Sequence, residues 1–454
     1  MDLAQALRFN HVPASYHTVS LVGAGGKTTA LFQLGEELVR RRGAQSVILT
    51  NTTHLGAWQV SLAEQHIIAT DLNALKEIPP HGVILVTGDF DNDRATPVDK
   101  IILNWLREYC VKKNIPLLIE ADGSRQKSLK APAAHEPPIP EFTDTVIVVA
   151  GLGTLGKLLT DEHVHRAEIF SQLGGLPLNQ NITPDTLGRV LAHPQGGLKN
   201  IPLHARRVVV LNQADTPELQ SIGGNMARAL LDQFDAVIVG ALQKNSLQTF
   251  EHTAGIILAA GKSTRFGSPK QLLDWKGKPF VRQVAETALQ SGLWPVVVVT
   301  GAFAADVESA LNGLPVNIVR NAEFAQGQST SIHAGINSFP PSPRWRGQAE
   351  VGAAIFLLAD QPQIPVDVIR ALVESHTQGM HPIIAPLVLE ERRANPVLFD
   401  QVTFPDLLKI TGDVGGRAIF SNYKVEYMPW HDDRLLLDVD KPEDYQRLVE
   451  DETL

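Results

Sequence analysis

The sequence predicts an α/β protein built on two doubly wound parallel sheets. Short β-branched runs alternate with amphipathic stretches from end to end, which is the pattern of strand–helix crossovers. The alternation also restarts midway, after the polar stretch Gln243–Thr253, dividing 454 residues into 1–250 and 251–454, each long enough for its own core. In the first part the strand-like runs are Thr18–Val22, Ser46–Thr50, Val83–Val86, Pro116–Ile119, Val146–Val149, Val208–Leu211 and Ala236–Val239. In the second they are Ile256–Ala259, Val296–Thr300, Val316–Val319, Ala353–Leu358 and Pro382–Pro386. Helix-like stretches lie between, at Thr28–Arg41, Val98–Tyr109, Val281–Ser291 and Val366–Ser375. The Gly-, Pro- and Asn-rich segment Gly174–Pro202 reads as an insertion or a minor joint, and Ser338–Glu350 as an exposed loop.

Composition narrows the function. The chain carries 40 basic and 49 acidic residues, a net charge of −9, so no polybasic footprint points to nucleic acid. Hydrophobic residues at 44% and charged residues at 20% describe an ordinary globular protein, not a disordered one. The single cysteine, Cys110, excludes an internal disulfide and a cysteine-cluster metal site. There is no apolar run of about 18 residues, and the start Met-Asp-Leu-Ala-Gln has no signal-peptide pattern. No membrane role and a cytoplasmic location are therefore expected.

Three motifs carry chemistry in residues 1–250. A strand-like run enters Gly23-Ala24-Gly25-Gly26-Lys27-Thr28-Thr29 and a helix-like stretch follows. Glycines allow backbone N–H groups to turn toward an anion, the helix start adds positive potential, and Lys27 and Thr28 are of the types that hold outer phosphates and Mg²⁺. Leu21 stands where the strict P-loop pattern has its first glycine, so the loop is a shortened, P-loop-like variant; the plainer reading is a tight strand–helix turn. Glu120-Ala121-Asp122-Gly123-Ser124-Arg125 ends the Pro116–Ile119 run, where Asp122 is placed to ligate a metal. Asn212-Gln213-Ala214-Asp215 resembles the guanine-reading Asn-Lys-x-Asp motif of GTP-binding proteins, with Gln in place of Lys, so the base stays open. Gly151–Gly156 fits G-x-G-x-x-G but lacks the acidic residue that should close the next strand, and is not assigned a dinucleotide.

These segments, with Lys130-Ala131-Pro132, His135-Glu136-Pro137 and His165-Arg166, resemble the YqeC-like family over about residues 15–240. That resemblance implies an accessory protein for selenium-dependent molybdenum hydroxylases and a nucleotide site at Gly23, Gly25, Gly26, Lys27, Thr28, Asn212 and Asp215. A hydroxylase apoenzyme is the partner it implies. His135 and Glu136, between prolines, are either functional or part of a packed loop.

In residues 251–454 the stretch Ile256–Leu273 is the most specific feature. A buried strand ending at Leu258 opens into the small residues Ala259, Ala260 and Gly261, and a nucleobase can lie against the backbone of Leu258–Gly261. Arg265 and Lys270 follow, cations suited to a triphosphate. The pattern is characteristic of nucleotidyltransferases on a GT-A-like α/β sheet. Asp360, closing the Ala353–Leu358 run, and Asp440, in Asp438–Asp444, are candidate Mg²⁺ ligands. Asn395, Asp413 and Arg417 lie in polar turns and are candidate acceptor contacts; for Arg417 a structural ion pair is the alternative. Asn321 and Ser329–Ser331 contact phosphate or merely cap a helix.

Leu258–Leu273, Asp360-Gln361-Pro362, Asn395-Pro396, Gly412–Arg417 and Asp438–Asp444 resemble the molybdenum cofactor cytidylyltransferases of the MobA-like nucleotidyltransferase family. The resemblance implies CTP, Mg²⁺ and a molybdopterin-type cofactor as reactants. Guanylyltransferase relatives tend to carry Leu-Ala-Gly-Gly and Asp-Lys where this chain has Leu258-Ala259-Ala260-Gly261 and Pro269-Lys270, which favours cytosine. A cytidylyltransferase for another phosphorylated acceptor, and a nucleotide-switched cofactor-delivery chaperone, are the competing expectations.

Overall fold

The computed structural model describes residues 1–9, 18–42, 46–262, 266, 268–340, 350–389 and 392–450. The chain forms two compact units that divide between Phe250 and Glu251.

The first unit is a nine-stranded sheet of β1 (Thr18–Gly23), β2 (Ser46–Asn51), β3 (Gln65–Ile68), β4 (Gly82–Thr87), β5 (Leu117–Glu120), β6 (Thr145–Gly151), β7 (Arg206–Asn212), β8 (Ala236–Ala241) and β9 (Ser246–Phe250). Their order is β9-β8-β7-β6-β1-β5-β2-β4-β3. All neighbours run parallel except β9, which returns antiparallel on β8. Helix α1 (Lys27–Arg42) follows β1. Alternate side chains of each strand face opposite sides. Leu21, Leu49, Leu85 and Val149 join Leu31, Leu34 and Leu38 of α1 in one core. Val22, Ile48, Val86 and Val148 join residues of the helices α2 (Lys100–Lys113), α3 (Ala167–Gly174), α4 (Pro184–Ala192) and α5 (Pro217–Leu230) in the other. Burial on both faces explains the near-continuous apolar strands. Gly174–Pro202 is part of this unit, since α4 contributes Leu187, Val190 and Leu191 to the core.

The second unit holds β10 (Thr253–Ala259), β11 (Val296–Thr300), β12 (Asn317–Arg320), β13 (Ala353–Leu358), β14 (Ile383–Val388), β15 (Arg392–Arg393), β16 (Val397–Asp400) and β17 (Val425–Trp430). The order is β12-β11-β10-β13-β16-β14-β15, with β17 also on β14. Its first four strands are parallel, whereas β16 is antiparallel to both β13 and β14. The sheet is thus mixed, a departure from the expected parallel winding. Strand β16 directly follows Asn395-Pro396, whose polar turn character masked the four buried residues after it. Cores again lie on both faces. Most of Ser338–Glu350 lies outside the described residues, but Phe339 is buried, unlike a residue of an exposed loop. No helix among the described residues is long and apolar enough to cross a membrane.

Candidate functional sites

In α/β sheets the groups at the carboxyl ends of strands, where the strand order reverses, face the crevice in which ligands bind. In each unit charged side chains gather at such strand ends.

In the first unit the loop after β1 turns through Gly23, Gly25 and Gly26, all with positive φ. A side chain at Gly25 would come within 2.6 Å of the Gly151 nitrogen and the Ser128 carbonyl, so only glycine fits there. Three loop amides are engaged inside the protein. Gly23 donates to Asp122 Oδ2 at 3.0 Å, Ala24 to the Val149 carbonyl at 2.8 Å and Gly25 to the Lys127 carbonyl at 3.1 Å. Lys27 is 4% exposed; its ammonium donates to the Gly23 carbonyl at 2.7 Å and lies 3.2 Å from Asp122 Oδ1. Asp122, 2% exposed, is also paired with Lys130 at 2.9 Å. Its two oxygens are therefore turned toward two ammonium groups and a loop amide.

The cluster extends through Lys130 to Glu136 at 2.9 Å, and Glu136 receives both terminal nitrogens of Arg166 at 2.7 Å. Burial alone would raise the Glu136 carboxyl; the Arg166 and Lys130 hydrogen bonds outweigh it and hold it down to about 2. Glu136 is therefore the anionic hinge of the cluster, while the His135 side chain is 82% exposed. Burial, then the cations Arg166, Lys130 and Arg125, push the His165 imidazole down to about 4. Glu120, the last residue of β5, accepts from Thr28 Oγ1 at 3.4 Å; burial above all, and Asp122 beside it, raise its carboxyl to about 7 against the pull of Lys27. Gln59 donates to the same Thr28 hydroxyl. On the other side of β1, Asn212 donates to the Gly25 carbonyl at 2.7 Å and accepts from the Leu242 amide at 3.0 Å, and Asp215 pairs with Lys244 at 3.2 Å. Glu120, Lys130 and Arg166 stood in the sequence only as members of longer motifs, whereas Glu136 was a candidate in its own right and its pairing with Lys130 and Arg166 is what the structure adds.

In the second unit, parallel register sets Leu258 of β10 beside Leu358 of β13, so the loop after β10 and Asp360 emerge side by side. Ala259 and Ala260 are buried, Leu258 is half-buried and Gly261 is exposed. Gln271 donates to the Gly261 carbonyl at 3.3 Å, tying the far side of the loop to its start. Lys270 then places its ammonium 3.0 Å from Asp360 Oδ2 and 2.8 Å from Asp440 Oδ1. Burial opposes the Lys270 charge, but the hydrogen bonds and fields of Asp440 and Asp360 raise its pKa above the usual lysine value. Asp438, which donates nothing and accepts from Gln361, is pushed up by burial and then by Asp360 and Asp440, with Arg417 acting against them. Arg417 donates to Asn395 Oδ1 at 3.2 Å, and Asp413 Oδ1 accepts from the Gln328 amide at 3.3 Å. Asn321 donates to Thr330 Oγ1 and Ser331 Oγ at 2.9 and 3.0 Å, so these side chains are spent on one another at the first turn of helix α6 (Gln328–Asn337), which has no side-chain cap. Arg265 lies outside the described residues. Asp438 was noted only as part of its motif; its place in the charge balance comes from Asp360 and Asp440 standing near it, which the sequence alone does not bring together.

No group of three or more His, Cys, Asp or Glu side chains among the described residues is arranged to hold a metal ion. Asp360 and Asp440 nevertheless converge on one cationic atom, and Asp438, raised by desolvation first and by their negative charge second, stands close to both. That donor set suits a hard divalent cation with oxygen ligands.

Residues 19–168 match the family described as YqeC protein, and residues 255–427 match the MobA-like NTP transferase domain. The uncharacterized protein YqeC of Escherichia coli (strain K12) is 33% identical over 235 residues, 50% of this chain and 88% of that protein. Nicotine blue oxidoreductase of Paenarthrobacter nicotinovorans is 31% identical over 205 residues, 43% of this chain and 95% of that protein. Purine catabolism protein PucB of Bacillus subtilis (strain 168) is 30% identical over 205 residues, 42% of this chain and 93% of that protein. The chain belongs to the YqeC family through its N-terminal half and to the MobA-like NTP transferase family through its C-terminal half.

Proposed function

We propose that the C-terminal unit transfers a cytidylyl group from CTP to a molybdopterin-type cofactor, and that the N-terminal unit is a nucleotide-binding accessory to the maturation of molybdenum hydroxylases. The observation that carries the first part is the Lys270 ammonium held between Asp360 and Asp440 beside the mouth of β10. In this reading the backbone of Leu258, Ala259, Ala260 and Gly261 takes the base. Ala260, rather than a second glycine, favours cytosine. Mg²⁺ held by Asp360 and Asp440 supplies charge neutralisation to the triphosphate. Lys270 leaves the carboxylates for the phosphates, and Arg265 adds a second positive charge. Asn395, Asp413 and Arg417 bind the acceptor.

The acceptor phosphate is already ionised near neutral pH, so no general base is needed. Its oxygen forms a bond to the α-phosphorus of CTP while the α–β bridging bond breaks, and pyrophosphate departs with the electron pair. Rate enhancement comes from positioning and charge neutralisation. The test is pyrophosphate release by Asp360→Ala. Turnover is expected to vanish while the circular dichroism spectrum stays that of the parent, and parent-like turnover would refute the metal assignment.

A further inference from the structure

We propose that the N-terminal unit takes a guanosine triphosphate, with Asp215 reading the base and Lys27, Thr28 and Glu120 serving the phosphate end. The inference rests on the reading of this unit as nucleotide-binding and adds the identity of the base.

The strand order places the parts. Strand β1, which feeds the glycine loop, has β5 on one side and β6, β7 and β8 in succession on the other. Strand β5 brings the Glu120 carboxylate against the Thr28 hydroxyl, 3.4 Å apart, at the start of the 16-residue helix α1. A hydroxyl and a carboxylate set side by side there, next to a lysine, are what a magnesium-bound triphosphate requires. Strand β7 ends in Asn212, which is buried and spends both ends of its amide on the site. Its nitrogen holds the Gly25 carbonyl at 2.7 Å and its oxygen holds the Leu242 amide at 3.0 Å. One side chain thereby fixes the glycine loop to the ends of β7 and β8. Gly26 is shaped for this contact, because a side chain there would come 2.3 Å from the Asn212 nitrogen and its φ is +132°.

Three residues beyond Asn212 stands Asp215, its carboxylate about half exposed and paired with Lys244, itself 61% exposed. Such a pair contributes little and exchanges readily. A carboxylate has acceptor sites only and pairs with two parallel N–H donors. Guanine offers that pair, N1–H and the 2-amino group. Adenine and cytosine present a ring-nitrogen acceptor at the corresponding edge and are repelled. Glutamine at 213 does not alter this, since the base edge is read by the acid.

The experiment is displacement of a fluorescent GTP analogue from the full chain by unlabelled GTP, ATP or xanthosine triphosphate, with Mg²⁺ and with CTP in excess to occupy the C-terminal unit. GTP is expected to displace it about tenfold or more better than ATP, as a bidentate base contact implies. Asp215→Asn should lose affinity for GTP and gain it for xanthosine triphosphate, because the amide donates to the xanthine 2-carbonyl; this gain also shows that the variant is folded. Thr28→Ala should weaken both. Equal displacement by GTP and ATP, an Asp215→Asn protein with parental preference, or a Thr28→Ala protein with parental affinity would overturn the proposal. No binding of any triphosphate would overturn it together with the nucleotide-binding reading. Failure of the cytidylyl reading would show separately, in pyrophosphate release from CTP.

Discussion

At the scale of single residues, both crevices hold acids and cations at high density, and the balance between burial and pairing decides the charge of each. His165 gives the clearest consequence. The folded chain holds its imidazole neutral down to about 4, whereas in the unfolded chain it takes up a proton near 6.5. Stability contributed by the neutral imidazole is therefore present above about 6.5 and is lost as pH falls toward 4. Glu120 acts in the opposite sense. Its raised carboxyl stabilises most below 4.5, and that contribution is lost as pH rises through about 7. Comparing the parent with His165→Gln isolates the histidine. Urea midpoints of the parent, relative to those of the variant, should fall between pH 6.5 and 4, and parallel curves would contradict the account.

At the scale of elements, the loops that shape the crevices depend on close backbone approach. Gly327, before α6, has φ +118°, and a side chain there would lie 2.3 Å from the Gly412 carbonyl carbon and 2.5 Å from the Asp413 nitrogen. Gly327→Ala is expected to cost about 1–3 kcal/mol of stability, because neither backbone segment can yield like a flexible side chain. A thermal midpoint equal to the parent's would contradict this. The buried parallel strands were legible in the sequence because apolar runs mark them. Strand β9 was not, since Ser246–Phe250 lies in a polar stretch in which only Leu247, Thr249 and Phe250 are buried. The edge strand β3 and the strand β17 were missed likewise, being only partly buried along their length. Asp360 and Lys270 were legible as motif residues, but their meeting was not, because 90 residues separate them in the chain. Lys130, Glu136 and Arg166 meet because the two-residue strands Leu129–Lys130 and Val164–His165 pair and the Pro-bounded segment carrying Glu136 returns to them, and runs that short leave no periodicity to read.

At the scale of the whole molecule, each unit carries its own cores and its own cluster of charged side chains at strand ends. The family matches divide in the same way, the YqeC protein over residues 19–168 and the MobA-like NTP transferase domain over residues 255–427. The central claim is that the crevice of the second unit transfers a cytidylyl group. The most direct measurement is pyrophosphate release by the full chain with Mg²⁺, from CTP and from GTP, with and without molybdopterin. The account predicts release from CTP that depends on molybdopterin and exceeds release from GTP; release from GTP alone, or none from either nucleotide with molybdopterin present, would contradict it.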